Sequence, residues 1–346
     1  MKKVGICGHF GIGYNMLNGQ TIKTKTLTNE LRRQLGADQV IIVDSHGGIK
    51  AMPQILTQSF FMFKNCENII IMPAHKGLRI FTPIYSLYNL FFHRRIHYVV
   101  IGGWLSKFID EHRWLTVMLK RFEGIYVETS IMKNLLEKKG FKNIKVMLNF
   151  KDLSILKPEE LKYCFELPYK LCTFSRVMKE KGIEDAIDVV KDINRQAGYI
   201  VYCLDIYGQI DSKYEERFVE LQKNFPEFIR YKGKVPFDKS VDILKDYFIL
   251  LFPTQFYTEG IPGTIIDAYA AGVPVISSKW ESFADAIDDN LTGIGYRFLD
   301  NKQLEHILLY IAEHPEIILE MKKKCLLRAE EFLPDVVIKT ILYSCT

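Results

Sequence analysis

The stretch Phe252-Pro253-Thr254-Gln255-Phe256-Tyr257-Thr258-Glu259-Gly260-Ile261-Pro262-Gly263-Thr264-Ile265-Ile266-Asp267-Ala268-Tyr269-Ala270-Ala271-Gly272-Val273-Pro274-Val275-Ile276 holds the most informative chemistry in the chain. It reads as strand, loop, helix, strand. Glu259 stands before a glycine-rich turn in which Gly260 and Gly263 let backbone amides approach a ligand closely. Asp267 follows about two helical turns later, so both acids can face one cleft. An acid ahead of a helix start is also a plain capping device. The two readings stand side by side until other residues decide between them.

The block resembles the donor-site signature of glycosyltransferase family 4, retaining enzymes of the GT-B fold, whose motif is Glu, seven residues, Glu, then A-x-A-x-G-x-P-V-I. It matches at Glu259, Gly260, Pro262, Ala268, Ala270, Gly272, Pro274, Val275 and Ile276, and departs at Asp267, where the family usually has a second Glu. The resemblance implies that Glu259 and the turn Gly260-Ile261-Pro262-Gly263 hold the donor sugar. Asp267 would accept hydrogen bonds from the nucleotide ribose, with one methylene less reach.

Other stretches fall in the family's order. Phe174-Ser175-Arg176-Val177-Met178-Lys179-Glu180-Lys181-Gly182-Ile183 is similar to its G-R-L-x-x-x-K-G segment. That likeness gives Arg176 and Lys181 the leaving diphosphate, whose growing negative charge two fixed cations stabilise more in the transition state than in the ground state. Without the likeness, both are surface charge at a helix start. Gly208 in Ile206-Tyr207-Gly208-Gln209 and Val235 in Tyr231-Lys232-Gly233-Lys234-Val235-Pro236 match positions beside the nucleotide, and Asn149-Phe150-Lys151-Asp152 is similar to the N-G-x-D closing the family's first domain.

Gly8-x-x-Gly11-x-Gly13 after the first strand is also legible as a damaged dinucleotide fingerprint, which would need glycine at Met16. In the transferase reading Gly11 and Gly13 lie across the cleft, near the diphosphate and the acceptor. His9, His46 and His75 each follow one of the first three strands, suited to an acceptor hydroxyl or to plain loops. No carboxylate cluster or i, i+4 histidine pair argues for a metal, and no Asp-x-Asp clamp occurs. No cofactor is expected. Many family members carry a histidine after the fourth strand; this chain has Ile101-Gly102-Gly103-Trp104 instead, and Trp104 is placed to stack on a sugar.

Short β-branched runs alternating with amphipathic segments must position these residues, a pattern of repeated βαβ units. Strands are expected near Val4–Cys7, Val40–Asp44, Asn68–Pro73, His97–Ile101, Gly124–Glu128 and Ile144–Leu148, then near Leu171–Ser175, Tyr199–Tyr207, Ile229–Lys232, Phe248–Phe252 and Val273–Ser277. Leu27, Leu31 and Leu35 mark a helix over Thr21–Gly36. The expected fold class is α/β: GT-B, two Rossmann-like doubly wound domains facing a central cleft that holds the active site. The first spans 1–155 and takes the acceptor, and the second spans 165–330 and takes the nucleotide-sugar donor. Residues 331–346 form a C-terminal helix returning to the first domain, and Lys151–Pro168 reads as the connection.

The composition of the 346 residues, 48% hydrophobic and 25% charged, excludes disordered, collagenous and coiled-coil classes. Seven scattered cysteines without a C-x-x-C argue for a reducing compartment. The apolar run of the opening Met1–His9 breaks too early for a signal peptide, and Ile84–Phe92 stops short of a bilayer span. A cytoplasmic protein is expected.

Residues 1–150 hold 21 Lys and Arg against 9 Asp and Glu, net +12, while the remainder nets −7. A basic first half suits an anionic partner. No nucleic-acid recognition module is visible. Phe60-Phe61-Met62-Phe63-Lys64 and Phe91-Phe92-His93-Arg94-Arg95 mix bulky aromatics with cations, consistent with core or with docking on an anionic membrane at the inner face. The expected activity is transfer of a sugar from a UDP-linked donor to a hydroxyl of a saccharide or lipid-linked saccharide, in bacterial surface polysaccharide assembly. A GT-B epimerase or phosphorylase, or a noncatalytic partner subunit, are the alternatives.

Overall fold

Runs such as Ile69-Ile70-Ile71 leave no polar face, so a strand made of them must be covered on both sides, as in a parallel sheet with helices on each face. The computed structural model, which describes residues 2–14 and 19–345, has that arrangement twice. The first unit comprises residues up to Asp152 together with those from Phe332 onward, and the second is Leu153–Glu331.

In the first unit β1 (Lys2–Gly8), β2 (Val40–Asp44), β3 (Cys66–Ile71), β4 (Arg95–Val99), β5 (Gly124–Val127) and β6 (Ile144–Val146) form one parallel sheet in the order β2-β1-β3-β4-β5-β6. The order reverses between β1 and β3. One face carries α2 (Gly48–Asn65) and α3 (His75–Phe92), whose Met62, Phe63, Phe81 and Tyr85 are buried. The other carries α1 (Gly19–Leu35), with Leu27 and Leu31 buried beside Val337, Ile338, Ile341 and Cys345 of the C-terminal segment.

A buried polar chain fastens that segment. Asn68 donates to the carbonyls of Lys3 and Cys345 at 3.1 and 3.0 Å, and His97 joins Asn68 Oδ1 to the Tyr126 hydroxyl at 3.2 Å on each side. A neutral ring with its proton on Nε2 satisfies both contacts. Burial, helped by Arg95 and Lys145, pushes the His97 pKa down from 6.5 to about 3. The unfolded chain therefore binds a proton that the folded chain refuses between these values, and stability present above pH 6.5 is lost as pH falls toward 3. By pH 4 this one group should have cost roughly 3 kcal/mol. His97→Gln keeps a donor and an acceptor but cannot titrate, so urea unfolding at pH 7 and pH 4 should give a visibly smaller acid loss for the variant; equal losses would remove His97 from the account.

The second unit contains β7 (Tyr169–Phe174), β8 (Tyr202–Tyr207), β9 (Ile229–Gly233), β10 (Ile249–Phe252), β11 (Val275–Ser278) and β12 (Gly293–Tyr296), all parallel, in the order β12-β11-β10-β7-β8-β9. This is the doubly wound order with its reversal between β7 and β10. The β12 strand was not expected, because Gly293-Ile294-Gly295-Tyr296 has no β-branched run. Its glycines serve close packing: a Cβ on Gly293 would lie 2.2 Å from the Val275 carbonyl oxygen. The stretch after Asp152, which reads as a free connection, belongs to the second unit. Leu156 and Leu161 are buried against Leu326, and the Leu156 N–H bonds the Ala270 carbonyl at 2.8 Å.

Candidate functional site

Open α/β sheets bind ligands beyond the carboxyl ends of the strands where strand order reverses. In the second unit those positions belong to the connections after β7 and β10, and they bring together two of the residues singled out above. Lys181 Nζ lies 2.6 Å from Glu259 Oε2, with both side chains largely shielded. Thr254 donates to the same carboxylate oxygen at 3.3 Å, and the ammonium sits 5.2 and 5.3 Å from the Phe252 and Phe256 rings. The loop is pinned further along: the Gln255 N–H donates to the Glu180 carbonyl, and its side chain donates to Asp185, which Asn301 also holds, each at 2.8 Å.

The connections can meet only because Gly182 follows Lys181. Its φ is +67°, and a Cβ there would lie 1.9 Å from the Pro253 carbonyl oxygen. Gly208 after β8 is under the same constraint, with φ +137° and a Cβ position 1.8 Å from the Ser175 carbonyl oxygen. Arg176 stands on the β7 connection with its side chain 60% exposed, 3.6 Å from Asp211, at the edge of a cavity of about 560 Å³ also lined by Gln209, Tyr231 and Lys234. The structure does not pair it with Glu259. Val235 is half-buried just past β9.

Gly260, Ile261 and Pro262 are buried and lead into the helix Gly263–Ala270. Asp267 is 4% exposed and accepts from the Ser240 hydroxyl at 2.9 Å. Thr264, in the first turn of this helix, has a buried hydroxyl without a partner among the described residues. Neither Ser240 nor Thr264 was singled out from the sequence. A hydroxyl directly after Gly263 was the available signal for Thr264.

In the first unit, Asp44 at the end of β2 organises the loop after β1. Its carboxylate accepts from the N–H groups of Phe10, Ile12 and His46 at 2.8 to 2.9 Å. Burial alone would raise its pKa, but the N–H groups of Ile12, His46, Phe10 and Gly11 outweigh burial and hold it below the ordinary value. Gly11 and Gly13 have φ of +59° and +83°. His9 joins Thr21 at 2.8 Å and His46 at 3.1 Å, and burial together with His46 lowers its pKa. A cavity of about 420 Å³ beside this cluster is lined by Tyr14, Asp44, His46, Gln54 and Gln58. His75 is apart from that cluster, stacked on Trp104 with ring centroids 3.9 Å apart, and its pKa is lowered by burial. Met16 lies outside the described residues. Among the described residues no group of three or more His, Cys, Asp or Glu could hold a metal ion.

Two doubly wound units of this kind make the α/β GT-B fold, and solved structures share it across the whole chain. HepE from Anabaena, crystallised with UDP, has a TM-score of 0.75 at 12% identity, covering 99% of each chain. Sucrose-phosphate synthase from Thermosynechococcus elongatus has a TM-score of 0.74 at 14% identity, covering 99% of this chain and 98% of that one. Residues 168–313, which contain Lys181, Glu259 and Asp267, match the family model described as glycosyl transferases group 1. The amylovoran biosynthesis glycosyltransferase AmsK of Erwinia amylovora is 24% identical over 158 residues, 44% of this chain and 38% of AmsK. The chain thus spans less than two-fifths of the length of the curated relatives it matches.

The loop contact predicts a graded glycine series. Gly198 has φ +74° with open space around its Cβ position. Gly198→Ala should therefore cost about 1 kcal/mol, the strain term alone. Gly182→Ala adds a backbone collision and should cost roughly 2 kcal/mol more. Equal unfolding free energies for the two variants in denaturant titrations would refute the close approach.

Proposed function

We propose that the chain is a retaining glycosyltransferase of family 4, moving a sugar from a UDP-linked donor to a hydroxyl of a saccharide or lipid-linked saccharide. The observation that carries this reading is the Lys181–Glu259 contact at the reversal point of the second sheet, inside the segment that matches glycosyl transferases group 1. The neighbour HepE crystallises with UDP and with UDP-glucose, which supports a nucleotide-sugar donor. The name of AmsK supports a role in surface polysaccharide assembly, and in this reading the enzyme works at the inner face of the membrane.

Each residue has a task in this reading. Without ligand, Lys181 and Glu259 neutralise one another. A diphosphate entering beside them competes for the ammonium, while the carboxylate turns to the hydroxyls of the donor sugar. Arg176 reaches the same diphosphate from the loop edge, and both cations stabilise the charge left on the β-phosphate as the glycosidic bond breaks. Gly208 and Val235 border the nucleotide, Gly260 to Gly263 line the sugar, and Asp267 serves the ribose. Retention follows if the acceptor hydroxyl attacks on the face the phosphate leaves and hands its proton to that phosphate. No protein base is then needed. His9, His75 and Trp104 are assigned to the acceptor, and Gly11 and Gly13 to the donor beside its diphosphate.

A panel of nucleotide sugars, assayed for binding and slow hydrolysis, tests the reading, with UDP-sugars expected to lead. Lys181→Ala should lower turnover roughly 100- to 1,000-fold. Glu259→Gln should lower turnover while leaving free UDP binding near normal in calorimetry, whereas Asp267→Asn should weaken both. Matching losses of UDP affinity in the two carboxylate variants would contradict the division of labour, and a panel in which no nucleotide sugar binds would overturn the whole assignment.

A further inference from the structure

The outer side of α2 and α3 is unlike the rest of the first unit. Phe60 and Phe61 on α2 and Leu87, Leu90 and Phe91 on α3 are all exposed, Phe91 at 77%. They are not spare core: Phe63 and Tyr85 of the same helices already fill the space beneath. The edge of Phe60 meets Phe92 at 5.3 Å and Tyr88 at 6.2 Å, which joins the two helices into one surface. Across the 18 residues of each helix there is no Asp or Glu, while Lys50, Lys64, Lys76 and Arg79 lie on them and Arg94 follows α3.

An exposed apolar face bordered by cations and free of carboxylates calls for a partner that is anionic at its surface and apolar beneath. A second copy of this chain would bring the same cations together, so charge argues against self-association. Among the described residues no helix is long and apolar enough to cross a membrane, which leaves the interfacial depth.

We infer that the α2–α3 face is a bilayer-docking surface: Phe60, Phe61, Leu90 and Phe91 enter the boundary between headgroups and acyl chains, and the flanking cations bind anionic headgroups. Its position says how an acceptor arrives. Gln54, Gln58 and Phe61 recur at i, i+4 and i+7, one stripe of α2. Gln54 and Gln58 line the cavity beside His46, and Phe61 belongs to the apolar face one to two turns, about 5 to 10 Å, further along the helix. One stripe thus serves both ends of an amphiphile, with saccharide in the cavity and lipid in the bilayer. This last step rests on the proposed glycosyltransferase reading; the docking surface itself does not.

The test is co-flotation of the full chain with phosphatidylglycerol vesicles and with phosphatidylcholine vesicles. Wild type should bind the anionic vesicles at low salt and release them at high salt, since such attraction acts over about 8 to 10 Å at physiological ionic strength. Phe60→Ser, Phe61→Ser and Phe91→Ser combined should weaken binding about tenfold or more, and Lys64→Glu with Lys76→Glu should do the same through charge alone. Arg94 is left in place because its Nε donates to the Phe63 carbonyl at 2.9 Å. UDP calorimetry on each variant reports whether the fold and the donor site survive. Wild type ignoring anionic vesicles, serine variants binding like wild type, or sedimentation showing that the serine variants abolish a dimer would each overturn the docking surface. Vesicle binding without UDP binding would leave docking standing and sink the transferase reading, and UDP binding without vesicle binding would do the reverse.

Discussion

The ion pair between Lys181 and Glu259 ties the two loops that flank the reversal point of the second sheet, and much of that unit is arranged around it. Held at 2.6 Å and largely out of water, the pair is tolerable only because each member has further partners: the Thr254 hydroxyl on the carboxylate and two aromatic faces around the ammonium. Reaching that distance requires the β7 and β10 connections to touch through their backbones. The touching point has no room for a side chain at Gly182. The Gln255–Asp185–Asn301 chain then keeps the second loop from drifting away. A pair so supported keeps two opposite charges in a fixed position at the point where the loops meet.

The first unit solves the corresponding problem with the opposite polarity. At the end of β2 a carboxylate, Asp44, gathers backbone N–H groups and fixes the loop after β1, which carries two left-handed glycines. The charge is spent inside the protein, on shaping Gly11 to Gly13 and orienting His46. In the second unit, by contrast, an acid and a base hold one another where two loops meet. One unit uses an acid to fix a loop, and the other uses an acid and a base to join two loops.

The sequence carried strand positions and order of use well, because parallel strands covered on both faces are written as apolar runs; β2 spans the expected Val40–Asp44. It singled out Lys181 and Glu259, which the fold brings together, because they fall in one register along one motif. What it hid depends on long-range geometry. Asp44 is an unremarkable acid at a strand end until the loop after β1 folds over it. Gly293 and Gly295 conceal a strand because close packing replaced the usual β-branched signal. The aromatic pairs could not be sorted into core and surface from spacing alone: Phe63 went inside and Phe61 outside, two positions apart on one helix. Arg94, which looks like a free cation beside Arg95, is engaged by the Phe63 carbonyl.

The second unit is spelled entirely between Asp152 and Phe332, so it is an insertion within the chain of the first. Synthesis therefore finishes the second unit before the first. The six strands of the first sheet leave the ribosome before the second unit, yet Val337, Ile338 and Ile341, which complete the apolar layer on the α1 side, and the Cys345 carbonyl that Asn68 grips arrive after it. At about 5 to 20 residues per second the wait is on the order of ten seconds or more. During that interval an apolar strip along α1 and Ile70 has no partner of its own. The unit whose chain is interrupted is the later of the two to become a finished domain, which makes it the more exposed to aggregation and to chaperone capture during synthesis.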